Sequence, residues 1–223
     1  MAIPKIIYQT FKSHKIPLVT KLYIWRFKRK NKNYVYEFYD DKRVTDFIKD
    51  NFNDRTFRAY QSLQIGAAKA DFFRYAVLYR YGGIYLDLDS NILTSLDQHL
   101  NDNDVAVICR EKRHQNIFAQ WALIYDKQHP FLKRTLDIIV SNIENNSFPH
   151  DVHGMTGPTP YTKAIEEVIA ENPNVSYRIV EDDYKGLMQF KYKLGKLFIY
   201  GDRKNHWKNL QKSVSVVKPT ENS

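Results

Sequence analysis

A chain of 223 residues, 43% hydrophobic and 26% charged, has the make-up of a soluble globular protein of about one domain, large enough to bury a sizeable core. Its net charge of +9 admits nucleic acid, an anionic membrane surface or anionic small substrates as partners, but zinc-finger spacing, an RNA-binding aromatic signature and a basic heptad region are missing, which excludes the commoner nucleic-acid classes. A single cysteine, Cys109, excludes an intrachain disulfide and points to a reducing compartment; with no apolar run of about 18 residues and no signal-peptide core, the expected location is the cytoplasm or the cytoplasmic face of a membrane.

In chain order, residues 3–9 read as a first buried strand that ends at Gln9, Thr10 and Phe11. The carboxyl ends of strands form the ligand crevice of an open α/β sheet, so Tyr8 and Phe11 are candidates to touch a nucleotide base. A core aromatic is the equal alternative for Tyr8. Residues 19–31 read as a helix with Leu22, Trp25 and Phe27 among basic residues, and 34–39 alternate as a strand. Two short helices are expected over 41–52 and 55–63. A long helix over 64–80 follows, with Ile65, Ala68, Phe72, Tyr75, Ala76 and Tyr79 in an apolar stripe. Asp71 and Arg74 are three apart; spacing alone reads them as an exposed intrahelical ion pair.

A Gly82-Gly83 turn then leads into a strand over 83–88. Alternation puts Ile84, Leu86 and Leu88 on one face and Tyr85, Asp87 and Asp89 on the other. The two carboxylates would converge, and such a pair suits a hard divalent cation. Asp-x-Asp is weak alone, with about one chance match expected at this length. Asp102-Asn103-Asp104 is a second match, read as a solvated turn.

Residues 91–93 are expected to return to the sheet, and 104–109 to form a buried strand holding Cys109. The polar loop 110–116, ending at Asn116, is a candidate acceptor-side loop. Residues 117–125 read as a strand. His129 and Pro130 open a helix with Leu132, Leu136, Ile139 and Ile143 inward. Residues 145–160 have loop chemistry. Thr156, Gly157 and Pro158 precede another helix, whose first N–H groups could meet a substrate oxygen or phosphate; a simple loop-to-helix turn is the alternative. Short apolar runs follow at 177–180 and 197–200, and 213–223 read as a frayed tail beyond a domain of residues 1–212.

Alternating strands and helices argue for an α/β fold. The pattern Ala70-Asp71-x-x-Arg74, then Tyr81-Gly82-Gly83-Ile84-Tyr85-Leu86-Asp87-Leu88-Asp89, resembles the sugar-nucleotide-binding region of glycosyltransferase family 32. That family includes the yeast initiating α-1,6-mannosyltransferase and many capsular-polysaccharide enzymes, and the large clostridial glucosylating toxins share the signature. The resemblance starts at Ile3-Pro4-Lys5-Ile6-Ile7-Tyr8-Gln9 and continues, more weakly, through Thr156-Gly157-Pro158. It implies a GT-A fold, one Rossmann-like domain with a mixed central sheet flanked by helices. It also implies a metal-dependent, retaining transferase. Asp87 and Asp89 would hold Mn²⁺ or Mg²⁺ against the phosphates of a UDP- or GDP-sugar, Asp71 and Arg74 would hold sugar hydroxyls, and Tyr8, Gln9, Thr10 and Phe11 would lie on the nucleotide side. The family usually has His and Trp where Tyr8 and Phe11 stand, which leaves the base open. Related enzymes also place a His near the C-terminus, close to the metal. His206 would be that third ligand, but its spacing is unusual and a surface His is the alternative.

The implied acceptor is a glycan, a lipid-linked saccharide or a protein, with no specific nucleic acid. The excess positive charge could hold the enzyme near an anionic membrane. On the residues alone two other classes stay open: a basic nucleic-acid- or membrane-binding protein, and a sugar-nucleotide hydrolase.

Overall fold

The computed structural model describes residues 3–112, 114, 116–180, 184–192 and 207–218. A six-stranded mixed sheet forms the middle layer. In chain order its strands are β1 (Ile6–Thr10), β2 (Val35–Tyr39), β3 (Gly83–Leu86), β5 (Ala106–Cys109), β6 (Ala122–Tyr125) and β7 (Arg178–Val180); β4 (Asn91–Ile92) and β8 (Met188–Gln189) form a separate antiparallel pair. The order across the sheet is β2-β1-β3-β6-β5-β7. Strand β1 runs parallel to both β2 and β3, and β6 alone is reversed against its two neighbours.

Strand alternation sorts the core onto the two faces of this sheet. Ile7, Ile84, Leu86, Val107 and Ile124 face the side covered by α1 (Leu18–Lys30), which contributes Phe27. Tyr8, Tyr85, Ile108 and Tyr125 face α4 (Gly66–Tyr81) and, behind it, α5 (Pro130–Glu144) and α7 (Pro158–Glu171). Helix α4 is buried without a break from Asp71 to Leu78, because sheet and helices enclose it on both sides. The smaller helices on that side, α2 (Asp41–Asn51) and α3 (Asp54–Ser62), start at Asp40 and Asn53, whose side chains accept from Arg43 N–H at 2.8 Å and Thr56 N–H at 2.9 Å.

The chain leaves β1 for β2 through α1 on one face and returns to β3 through α4 on the other, so strand order switches direction at β1. The carboxyl ends of β1 and β3 thus frame the crevice where open α/β sheets take ligands. The turn from α4 into β3 is possible only because Gly82 and Gly83 adopt φ of 66° and 105°. A Cβ on Gly83 would also sit 2.7 Å from the Ile6 carbonyl, so glycine lets β3 close on β1.

Several expectations change. Strand β3 ends at Leu86, two residues short of the predicted stop. Residues 91–93 pair with the 187–189 segment rather than rejoining the main sheet. The strand expected over 117–125 shrinks to β6, with Phe118 bridging to Arg110. The 145–160 loop contains a short helix, α6 (Val152–Met155). The tail reading fails over 213–218: Val216 and Val217 are buried, Val217 bridges Leu63, and Gln64 N–H donates to the Val216 carbonyl at 2.8 Å. These residues follow a last short helix, α8 (Trp207–Leu210). Apolar β-branched residues in a polar tail are enough to dock it. Residues 197–200 and 206 lie outside the described residues.

Candidate active site

Asp87 lies just past the end of β3, where its N–H donates to the Trp121 carbonyl at 2.8 Å. It begins a tight turn, closed by Ser90 N–H donating to the Asp87 carbonyl at 2.9 Å. Alternation therefore explains the direction of Asp87, which follows Tyr85 toward α4, but not that of Asp89, which the turn places. The turn is held from two sides. Gln9, fully buried in β1, donates from its amide to the Asp87 carbonyl at 3.2 Å and accepts from Tyr36 hydroxyl at 3.0 Å. On the far side, Tyr192 N–H donates to the Asp89 carbonyl at 3.0 Å.

Asp71 and Arg74 are not a surface pair. Both are only 5% exposed. The Arg74 guanidinium lies 3.0 Å from both Asp71 and Asp87 and donates to the Gln120 carbonyl at 2.8 Å. It also lies over the Tyr85 ring, 4.8 Å from its centroid, and the Tyr85 hydroxyl donates to Asp87 at 3.0 Å. Thr156 closes the other end, its hydroxyl donating to Asp71 at 3.1 Å. Helix α4 is thus tied to the acidic turn through one buried cation between two carboxylates. Burial pushes Asp71 up to about 7 against the opposing pull of Arg74, with Asp87 adding to the rise.

Asp89 is 2% exposed, and neither carboxylate oxygen has a hydrogen-bond partner among the described residues. Burial, reinforced by Asp87, raises it to about 6. Ser90 Oγ within the turn, Asn91 Oδ1 just after it, and Nε1 of Trp121, whose carbonyl accepts from Asp87 N–H, are also buried without such partners among the described residues. A buried carboxylate with unused lone pairs is costly. Beside the part-exposed carboxylate of Asp87 it makes a hard-oxygen donor set that fits a divalent cation. No group of three His, Cys, Asp or Glu side chains able to hold a metal occurs among the described residues. Among the described residues the donors at this turn are two carboxylates; His206 lies outside the described residues.

The other sequence-predicted residues divide clearly. Tyr8 is a core aromatic, 2% exposed and packed near Tyr39, so its phenol is not open to a base. Thr10 is spent on the Tyr39 carbonyl at 2.9 Å, whereas half-buried Phe11 stands at the crevice rim. Thr156 joins the cluster, and the Gly157 carbonyl accepts from Tyr75 at 3.3 Å. Asn116 lies in an exposed turn. In the second acidic triplet Asp102 and Asn103 are exposed as expected, but Asp104 is buried and pairs with Arg178 at 2.5 Å. Gln120 was missed: its carbonyl meets Arg74, and its amide oxygen accepts from Tyr75 at 2.5 Å. The available signal was one amide inside the apolar run Ile117-Phe118-Ala119-Gln120-Trp121.

Residues 17–106 match the family model described as a glycosyltransferase sugar-binding region containing a DXD motif, and the Asp87–Asp89 turn lies inside that match. An uncharacterized glycosyltransferase of Acanthamoeba polyphaga mimivirus is 28% identical over 82% of this chain and 72% of its own length. Inositol phosphoceramide mannosyltransferase 3 of Schizosaccharomyces pombe is 32% identical over 70% of this chain. The initiation-specific alpha-1,6-mannosyltransferase of the same yeast is 35% identical over 58%. This chain spans 43% and 38% of those two yeast proteins, less than half their length. Among solved structures, the PaToxG glycosyltransferase has a TM-score of 0.59 at 21% identity, covering 77% of this chain and 70% of its own. The glycosyltransferase domain of the YGT toxin has a TM-score of 0.61 at 9% identity, covering 87% and 82%. They share the fold, a GT-A arrangement of mixed sheet and flanking helices. The acidic turn and its α4 partners lie inside the matched region, so over residues 17–106 this chain is similar to the glycosyltransferases that carry the DXD sugar-binding region.

Proposed function

We propose that the protein is a metal-dependent, retaining glycosyltransferase. It moves a hexose from a nucleoside-diphosphate sugar to a glycan or glycolipid acceptor, at an anionic membrane surface. Mannose is the first sugar to test, because relatives are named mannosyltransferases. A lipid acceptor is favoured by relatives named for inositol phosphoceramide. The observation that carries the reading is Asp89, a buried carboxylate with no partner among the described residues, beside Asp87 at the mouth of the sheet crevice.

Asp87 and Asp89 would hold Mn²⁺ or Mg²⁺, which when bound neutralises the charge developing on a leaving diphosphate. The remaining work falls to the chain itself. Gln9 and Tyr192 fix the backbone of the turn, so its carboxylates are presented without reorganisation. Arg74 and Asp71, within the same network, orient the hydroxyls of the donor sugar, and Thr156 holds the Asp71 carboxylate in place. Phe11 at the rim offers an aromatic surface to the base. Retention needs no carboxylate opposite the leaving group, because the leaving diphosphate can itself accept the acceptor proton; Glu111 is then not required as a base.

The experiment is transfer from GDP-mannose, with UDP-sugars run beside it, in Mn²⁺, followed by NMR of the product's anomeric proton. An α-linked product from the α-linked donor is expected. A β-linked product would overturn retention. Sugar released only to water would favour a hydrolase.

A further inference from the structure

The whole formal charge of the protein is held in one segment. Residues 1–36 contain nine Lys and Arg and no Asp or Glu, so the net charge of +9 belongs to them and the remaining sequence is balanced. Within that segment α1 turns Thr20, Ile24 and Phe27 inward. Its outer face carries Leu18, Leu22 and Trp25, which are 83%, 44% and 52% exposed. These three lie at i, i+4 and i+7, on one line along the helix. Arg29 continues that line, its guanidinium 4.8 Å from the Trp25 ring centroid. Lys21, Lys28 and Lys32 border a groove of about 490 Å³ between α1 and β2, floored by apolar and aromatic side chains such as Ile24, Tyr36 and Phe38.

We propose that this face of α1 docks the protein on an anionic phospholipid bilayer. Leu18, Leu22 and Trp25 enter the headgroup boundary while the ring of Lys and Arg meets lipid phosphates. An apolar line flanked by cations is the pattern of helices that lie in a membrane interface. A nucleic acid would use the cations but has no use for two exposed leucines. The face is also coupled to the candidate active site. Thr20 hydroxyl lies 2.7 Å from the Tyr192 hydroxyl, and Tyr23 stacks on the Tyr192 ring at 4.0 Å. Tyr192 in turn holds the Asp89 carbonyl. Docking therefore places the acidic turn on the inner side of the helix that touches the bilayer, where a lipid-linked acceptor presents its sugar. This deepens the glycolipid-acceptor reading proposed above and names the surface that would serve it.

The test is flotation of the full chain with vesicles of phosphatidylcholine alone and of phosphatidylcholine mixed with phosphatidylglycerol, scored also by tryptophan emission. Binding to the anionic vesicles only is expected, with a blue shift absent in Trp25→Phe. The triple variant Lys21→Glu, Lys28→Glu, Arg29→Glu should lose vesicle affinity on the order of a hundredfold or more. Leu18→Ser with Leu22→Ser should also lose it. Both variants should keep the wild-type melting temperature and turnover on a soluble acceptor. Equal binding to neutral vesicles, undiminished binding by either variant, a dimer that buries Trp25 in solution, or oligonucleotide binding without vesicle binding would each overturn the proposal. If vesicle binding fails while transfer persists, only the docking surface is wrong; if docking holds and no sugar nucleotide is used, only the enzymatic reading is.

Discussion

Replacing Asp89 by Asn asks whether the acidic turn keeps an uncompensated charge when no cation is bound. The Asp89 carboxyl is raised from 3.8 to about 6 by burial and by Asp87. The folded protein therefore binds this proton more tightly than the unfolded chain does. Its stabilising contribution is fully present below pH 3.8 and is lost as pH rises through 6. A rise of roughly 2 units corresponds to about 3 kcal/mol lost at pH 8. For a chain of this size that is roughly 6–12 °C in melting temperature. Asp89→Asn, followed by circular dichroism in EDTA, should thus melt higher than wild type at pH 8 by that amount. The gap should fall to about half at pH 5 and close toward pH 4. Adding Mn²⁺ at pH 8 should raise the wild type and leave the variant unmoved. A variant that melts below wild type at pH 8 in EDTA, or a gap that ignores pH, would refute the reasoning.

Asp87→Asn should lower turnover by at least about a hundredfold while the fold persists, whereas Asp102→Asn, in an exposed turn, should be silent in the same assay. Arg74→Ala removes the cation shared by two carboxylates and should cost about 3–5 kcal/mol in denaturant unfolding; a loss below about 1 kcal/mol would restore the surface-pair reading. The same variant should weaken sugar-nucleotide turnover more than binding of the free diphosphate, and equal weakening would move Arg74 away from the sugar. Deleting residues 213–223 removes buried Val216 and Val217 and should cost about 3–5 kcal/mol, measured by urea unfolding, where a dispensable tail would change nothing.

Much of the framework was legible because local chemistry and tertiary packing agree. The basic helix at 19–31 begins at Leu18, the 34–39 alternation gives β2, and Gly82 with Gly83 marks a turn that only glycine can make. The carboxylate pair was legible as a motif but not as a geometry. Alternation accounts for Asp87, while Asp89 is placed by a turn that hydrogen bonds from Ser90 and Tyr192 close. Spacing also underrated Asp71 and Arg74, since an i,i+3 pair looks alike on a surface and in a core, and only the neighbouring helices decide. Tyr8 shows the same limit from the other side: a strand-end position suggested a ligand contact, and the α4 face of the sheet took the ring into the core. Gln120 acts through its carbonyl as well as its amide, and a backbone contact leaves no mark in the residue type.

The central claim is that the turn holding Asp87 and Asp89 binds a nucleoside diphosphate through a divalent cation. Calorimetric titration of GDP and of UDP into the full chain, in Mn²⁺ and in EDTA, tests it most directly. At least one nucleotide should bind roughly a hundredfold more tightly with Mn²⁺, a gain of about 2.7 kcal/mol, and that gain should vanish in Asp89→Asn. Equal affinity in Mn²⁺ and EDTA, or a gain that survives the substitution, would contradict the assignment of this site.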